Sequence, residues 1–189
     1  MRSRNAKICR HARRIRAAFR NGGLIAYATE SCYGLGCDPH NRRALQRLLR
    51  LKQRPWHKGL LLITDRASRL SPFIVAPNIE QQITLAASWP GPNTWIIDAK
   101  PHTPRNLTGN HRAIGVRMTA HPDAAAIARI VRSAVVSTSA NVSGRIPLKT
   151  YRACLRRFGA ATLVVPGKIG AAKRPSTIRV LATGKVLRS

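Results

Sequence analysis

Apolar and polar positions change period several times along the chain, and each change marks an element. Ile8, Ile15 and Phe19 share one face of a helix over the acid-free segment from Arg2 to Arg20, closed by Asn21-Gly22-Gly23. Leu24-Ile25-Ala26-Tyr27-Ala28 is an uninterrupted apolar run, the pattern of a buried strand. Thr29 to Gly36 follows as a loop rich in glycine and hydroxyl groups. Asn41 suits an N-cap ahead of Ala44, Leu45, Leu48 and Leu49, which fall on one side of a helix. Leu60 to Thr64 reads as the next strand. A helix around Ile79 to Ala87 leads into the rigid turn Trp89-Pro90-Gly91-Pro92 and a strand over Thr94 to Ala99. Ala113 to Met118 and Ala134 to Thr138 are β-like runs separated by a helix from Pro122 to Arg132. A helix from Tyr151, a strand at Thr162 to Val165 and a hairpin (Thr177 to Leu181, then Lys185 to Arg188) complete the chain. This alternation predicts an α/β fold, a twisted mixed sheet flanked by helices, in one domain over residues 1–189.

Composition narrows the partners. The apolar stretches are far shorter than the roughly 18 residues that span a bilayer, so a membrane is excluded and a cytoplasmic location is expected. Against 34 Lys and Arg stand six acids (Glu30, Asp38, Asp65, Glu80, Asp98, Asp123), leaving +28. Such a surface attracts nucleotides, RNA or DNA without sequence preference and in a salt-dependent way. The spread of basic residues over the whole chain suits compositional bias as well as a binding site. Cys9, Cys32, Cys37 and Cys154 form no CxxC pair, and the histidines show no ligand spacing; reduced thiols and no structural metal are expected.

Neither GxxxxGK[ST] nor GxGxxG occurs, so a nucleotide site must be built differently. Three segments after element ends offer anion-binding groups: Thr29 to Gly36, Lys52-Gln53-Arg54 with Lys58, and Ser137-Thr138-Ser139-Ala140-Asn141. Taken singly they also read as a turn, a complement to a helix dipole and a cap.

Their order decides the reading. "YATESCYGLGCDP", "LKQRPWHKGLLLI" with its KxR element, "WPGPNTWI", "AIGVRMTAHP", "VVSTSANVSG" with its SxN element, and "KRPSTI" followed by "GKVLR" resemble, in sequence, the threonylcarbamoyl-AMP synthase family, also called YrdC/Sua5, in its short single-domain form. The resemblance implies a central cavity in the sheet. It also implies a nucleotidyltransferase that converts L-threonine, bicarbonate or CO2, and ATP into threonylcarbamoyl-AMP and pyrophosphate. A downstream transferase complex would then place the group on the tRNA adenosine beside the anticodon, giving t6A.

On the family pattern, Lys52 and Arg54 are the catalytic cations that clamp the triphosphate, with Lys58 assisting and Mg2+ screening the remaining charge. ATP would lie against Lys52, Arg54, Lys58, Ser139, Asn141 and Arg188. Threonine would meet Thr29, Arg117, Ser137 and Ser176. Lys52 and Arg54, at a helix end beside Pro55, are expected to lie clear of the core, and Tyr33 and Trp56 to serve as wall or packing residues. Ala28 stands where the family usually has Pro, which loosens the strand exit before Thr29. Two rival readings use the same charge: a module that docks on double-stranded RNA or ribosome precursors through its basic surface, and a hydrolase of carbamoyl or acyl adenylates.

Overall fold

The computed structural model describes Ile8 and residues 10–189. Cys9 and the part of the expected first helix before Ile8 lie outside the described residues. In chain order the elements are α1 (Ala12–Arg20), β1 (Leu24–Ala28), β2 (Tyr33–Gly36), α2 (Arg42–Lys52), β3 (Leu61–Thr64), α3 (Ile79–Ser88), β4 (Asn93–Asp98), α4 (Arg105–Thr108), β5 (Ala113–Met118), α5 (Pro122–Val131), β6 (Val135–Ser139), α6 (Tyr151–Phe158), β7 (Thr162–Val164), β8 (Thr177–Val180) and β9 (Val186–Arg188). No helix among the described residues is long and apolar enough to cross a membrane.

Among the described residues nine strands form one mixed sheet in the order β7-β1-β2-β6-β3-β5-β4-β8-β9. Alternation along each buried strand feeds two cores. In β1, Leu24, Ala26 and Ala28 pack on the side of α2, whereas Ile25 and Tyr27 pack on the side of α1 and α5. Leu62 and Ile63 of β3, and Val136 and Val135 of β6, divide in the same way. The helices present matching stripes: Ile15 and Phe19 of α1, four residues apart, are buried, as are Ala44, Leu45, Leu48 and Leu49 of α2. The Asn41 side chain accepts the Ala44 amide at 3.0 Å and starts α2 as its sequence requires.

β6 is the strand on which the site depends, because it serves both halves of the sheet. Val135, Val136 and Ser137 pair with β3, and Thr138 and Ser139 pair with β2. β2 itself corrects the sequence reading. Only the first part of Thr29 to Gly36 is loop; Tyr33–Gly36 is a fully buried strand. Gly34 and Gly36 lack a strand signal of their own, yet they are there for closeness rather than for turning. A Cβ on Gly36 would stand 2.3 Å from the Val136 carbonyl oxygen. Tyr33 confirms its packing role: its hydroxyl donates to Gly167 O at 2.8 Å and accepts the Gly167 amide at 3.0 Å.

The closeness of β2 to β6 gives a direct check. Gly36→Ala forces the two strands apart and is expected to cost about 1–3 kcal/mol, the usual penalty of overpacking. Urea unfolding of the variant should show the loss as a lowered midpoint, and an unchanged midpoint would mean that the strands are not held so tightly.

Candidate active site

The KxR element works because the backbone reverses between its two cations. α2 ends with Gln53 in the left-handed conformation (φ 50°), where the Gln53 amide donates to Arg50 O and the Arg54 amide to Leu49 O. This pair of bonds is a Schellman closure made on a residue other than glycine. One consequence is that Lys52 and Arg54 leave the helix end in different directions and meet different partners.

Lys52 does not lie clear of the core as expected; it is 2% exposed. Its ammonium donates to Ser139 O, to Asn141 O at 2.8 Å and to Asn141 Oδ1 at 3.2 Å, while its own carbonyl accepts the Ser143 amide at 2.8 Å. All three N–H donors are therefore engaged with the turn that follows β6. Burial, with the neighbouring Arg54 cation adding to it, lowers the Lys52 pKa to about 8. Asn141 completes the turn: Oδ1 also accepts from Ser139 Oγ, and Nδ2 donates to Arg145 O at 2.6 Å.

Arg54 faces the other way. Nε donates to Gly59 O at 3.0 Å and Nη2 to Lys58 O at 3.2 Å, and burial lowers its pKa. Arg54, Lys58, Ser137, Thr138 and Arg188 line one cavity of about 380 Å³ whose apolar floor includes Leu61, Ile96, Gly115 and Ile178. Its rim joins the short helical turn Trp56–Lys58 to α4. Gly109 makes that join at φ +65°, where a Cβ would fall 2.1 Å from His57 O. At the opposite wall Arg188 donates to Ser176 O at 2.9 Å, and Ser176 Oγ shares a 2.8 Å hydrogen bond with Thr94 Oγ1. Burial lowers the Arg188 pKa, and the Arg117 cation adds to that.

The remaining residues assigned to threonine lie behind Ser137. The position of a Cβ on Gly34 is 3.2 Å from Thr29 Cγ2 and 3.4 Å from Ser137 Oγ, so both hydroxyl residues neighbour that glycine. Thr29 Oγ1 donates to Cys32 O at 2.8 Å, using its only proton to shape the loop. Arg117 is 7% exposed, with Nη2 3.1 Å from Glu30 Oε2. Glu30 Oε1 accepts from Thr119 Oγ1 at 2.6 Å. Arg117 Nε is buried and has no hydrogen-bond partner among the described residues. A buried N–H without a partner is an unmet demand for an acceptor, and a carboxylate would meet it.

The structure thus brings Arg54, Lys58, Ser137 and Arg188 to one cavity, with Ser176 held at its wall. Lys52, Ser139 and Asn141 form the adjoining turn. Thr29 and Arg117 belong to the layer that surrounds Ser137. Sequence reasoning left Glu30 without a role and passed over Thr94 and Thr119; the spacing of Arg117 and Thr119 at the end of β5 was the available signal. Trp56 is 46% exposed and serves as a wall residue, lining another recess with Arg50, Gln53 and Pro55. Among the described residues, no group of three or more His, Cys, Asp or Glu is placed to hold a metal ion.

Two lysines of the same stretch are expected to separate cleanly in stability. Lys52→Met leaves three acceptors of one turn without their donor and should cost about 1–3 kcal/mol. Lys58→Met, at an exposed position, should stay within about 0.5 kcal/mol of the parent. Thermal unfolding of both variants checks this; equal effects would place the Lys52 ammonium in solvent.

Comparison with known proteins places this geometry. The Sua5/YciO/YrdC family, described as "Telomere recombination", matches residues 17–189. A threonylcarbamoyl-AMP synthase of Thiobacillus denitrificans is 53% identical over 175 residues, covering 93% of either chain, and one of Methylobacillus flagellatus is 49% identical over 94% of this chain and 98% of its own. Among solved structures, P. abyssi Sua5 complexed with L-threonine superposes with a TM-score of 0.84 at 26% identity, covering 93% of this chain and 53% of that one. This chain therefore spans about half of Sua5. E. coli YciO superposes with a TM-score of 0.81 at 26% identity, covering 95% and 89%. A cation-lined cavity beside a lysine-held turn, on a fold shared with Sua5 and YciO and in a sequence that the family matches almost throughout, shows that the chain belongs to the Sua5/YciO/YrdC family.

Proposed function

We propose that this protein, with residues 1–189 acting as one unit, makes L-threonylcarbamoyl-AMP from L-threonine, bicarbonate or CO2, and ATP, as a nucleotidyltransferase that feeds t6A formation. The observation that carries the reading is the cavity in which Arg54, Lys58 and Arg188 converge next to the hydroxyl of Ser137. The synthase relatives support the reaction, and the threonine complex of Sua5 supports the amino-acid substrate.

The chemistry to be managed joins two anions. The threonine amine bonds to the carbon of CO2 and loses a proton, giving a carbamate. A carbamate oxygen then attacks the α-phosphorus of ATP, the bond from that phosphorus to the β-phosphate oxygen breaks, and pyrophosphate leaves. Uncompensated, the approach of carbamate to triphosphate is repulsive, so fixed cations must stand where charge accumulates. Arg54 supplies a planar fork and Lys58 a point charge on one side, and Arg188 supplies a second fork on the other. Lys52 acts from behind, holding Ser139 and Asn141 in the turn that meets the nucleotide. Arg117, kept in place by Glu30, takes the threonine carboxylate with its unmatched Nε, and Ser137, Ser176 and Thr29 form the polar surroundings of the threonine hydroxyl.

Among the described residues no acidic cluster is placed to cage Mg2+. Glu30, the acid that contacts Arg117, is already engaged by Arg117 and Thr119. The ion is accordingly assigned to the triphosphate and enters as part of the substrate. A docking module for double-stranded RNA would gain nothing from cations turned into a cavity, and the hydrolase reading leaves the carboxylate partner of Arg117 unexplained.

The deciding assay supplies the protein with ATP, bicarbonate and labelled threonine and follows pyrophosphate and the labelled adenylate; no product would overturn the proposal. Within that assay, Arg54→Lys keeps the charge but removes the fork and is expected to lower the rate about 30- to 1,000-fold. Valine, which leaves buried hydroxyls unpaired, should be used far less well than threonine. Synthesis should also fall as pH rises through about 8, because the neutral Lys52 amine has one donor fewer for its three acceptors. That alkaline limb should vanish in Lys52→Arg, whose guanidinium keeps its charge. A limb that persists there belongs to another group.

A further inference from the structure

The cations that crowd this chain stop abruptly in one stretch. Residues 70–99 contain no Lys or Arg, where an even spread would put about five, and they include two of the six acids, Glu80 and Asp98. Both acids are exposed. The same stretch carries a run of exposed large apolar side chains: Val75 at 48%, Ile79 at 69% and Ile83 at 64%. Ile79 and Ile83 are four residues apart and so stand on one side of α3. Next to them opens an apolar cavity of about 560 Å³, lined in part by Ala67, Pro77, Leu85 and Ala86, with Lys100 as the cation of its lining; the flanking Arg66 and Arg69 are both paired to Asp65. It shares no lining residue with the cationic cavity.

We propose that this face is a self-association surface, on which a second copy of the chain docks about a two-fold axis. Charge selects the occupant. An acidic protein or a nucleic acid is drawn to cations, and a surface cleared of them offers such a partner nothing. A partner that itself carries +28 needs a cleared surface, because any other approach sets like charges against each other. Shape agrees with charge. Protruding isoleucines beside an apolar recess on one face are self-complementary under a two-fold operation, each copy filling the recess of the other. Ala86 and Ala87, both exposed on α3, let the two helices approach closely. Glu80 and Lys100 give each copy one charge of either sign to match across the axis.

Sedimentation equilibrium on nuclease-treated protein, across a concentration series reaching the high-micromolar range, tests this. Wild type is expected to reach twice the chain mass. The association should hold or strengthen between about 0.15 and about 1 M salt, since salt screens the repulsion and favours apolar burial. Ile83→Lys places a cation at the contact twice over and should weaken association at least about tenfold, with Ile79→Lys as an independent repeat. Both positions are exposed, so thermal unfolding of the single chains should stay near that of the parent. A wild type that remains monomeric throughout, a dimer indifferent to both lysines, or a dimer that dissolves at high salt would each overturn the proposal.

Discussion

A single ammonium group ties the end of α2 to the far end of β6, and the candidate site stands on that tie. β6 is held by β3 along its first half and by β2 along its second, so its direction at Ser139 fixes where the following turn lies. Ser139 O, Asn141 O and Asn141 Oδ1 converge there on the Lys52 ammonium. Three acceptors meeting in a buried place repel one another and have lost water; one tetrahedral cation satisfies all of them. The tie is also one of charge, since it sets a positive group directly behind the surface assigned to the nucleotide.

That arrangement explains why the element reads lysine, any residue, arginine. With Gln53 in the left-handed conformation, neighbouring cations point apart, one into the framework and one to the cavity. The two cations therefore differ in their surroundings, Lys52 buried among the carbonyls of the turn after β6 and Arg54 at the cavity. A left-handed residue announces itself in sequence when it is glycine; a glutamine there carries no such mark. The burial of Lys52 was illegible for that reason.

Other parts of the fold were plain. The unbroken apolar run of β1 divides between two cores because each face of the sheet is covered, and Asn41 caps α2 through the bond its position predicts. What hid was local and short. β2 contains two glycines, whose function is close approach to β6 and not β propensity. α4 is too brief to show a period. For the site, motif resemblance reached Arg54, Lys58, Ser137 and Arg188, which line the cavity, but not Glu30, which contacts Arg117, or Thr119, which contacts Glu30. Glu30 matters because a cavity of cations still needs one carboxylate to keep Arg117 from turning elsewhere. In a chain with six acids, a glutamate just after β1 was worth a partner, and the Arg117 and Thr119 spacing at the end of β5 offered one.

The Lys52 ammonium positions the turn after β6, and its protonation can be observed. Lys52 carries an ε-carbon whose NMR shift reports its protonation, and selective labelling with comparison to Lys52→Met assigns its signal. Burial beside Arg54 predicts a midpoint near 8 for this lysine. A midpoint at the ordinary lysine value of about 10.4 would mean that the ammonium stands in water, and the tie between α2 and β6 would then not exist.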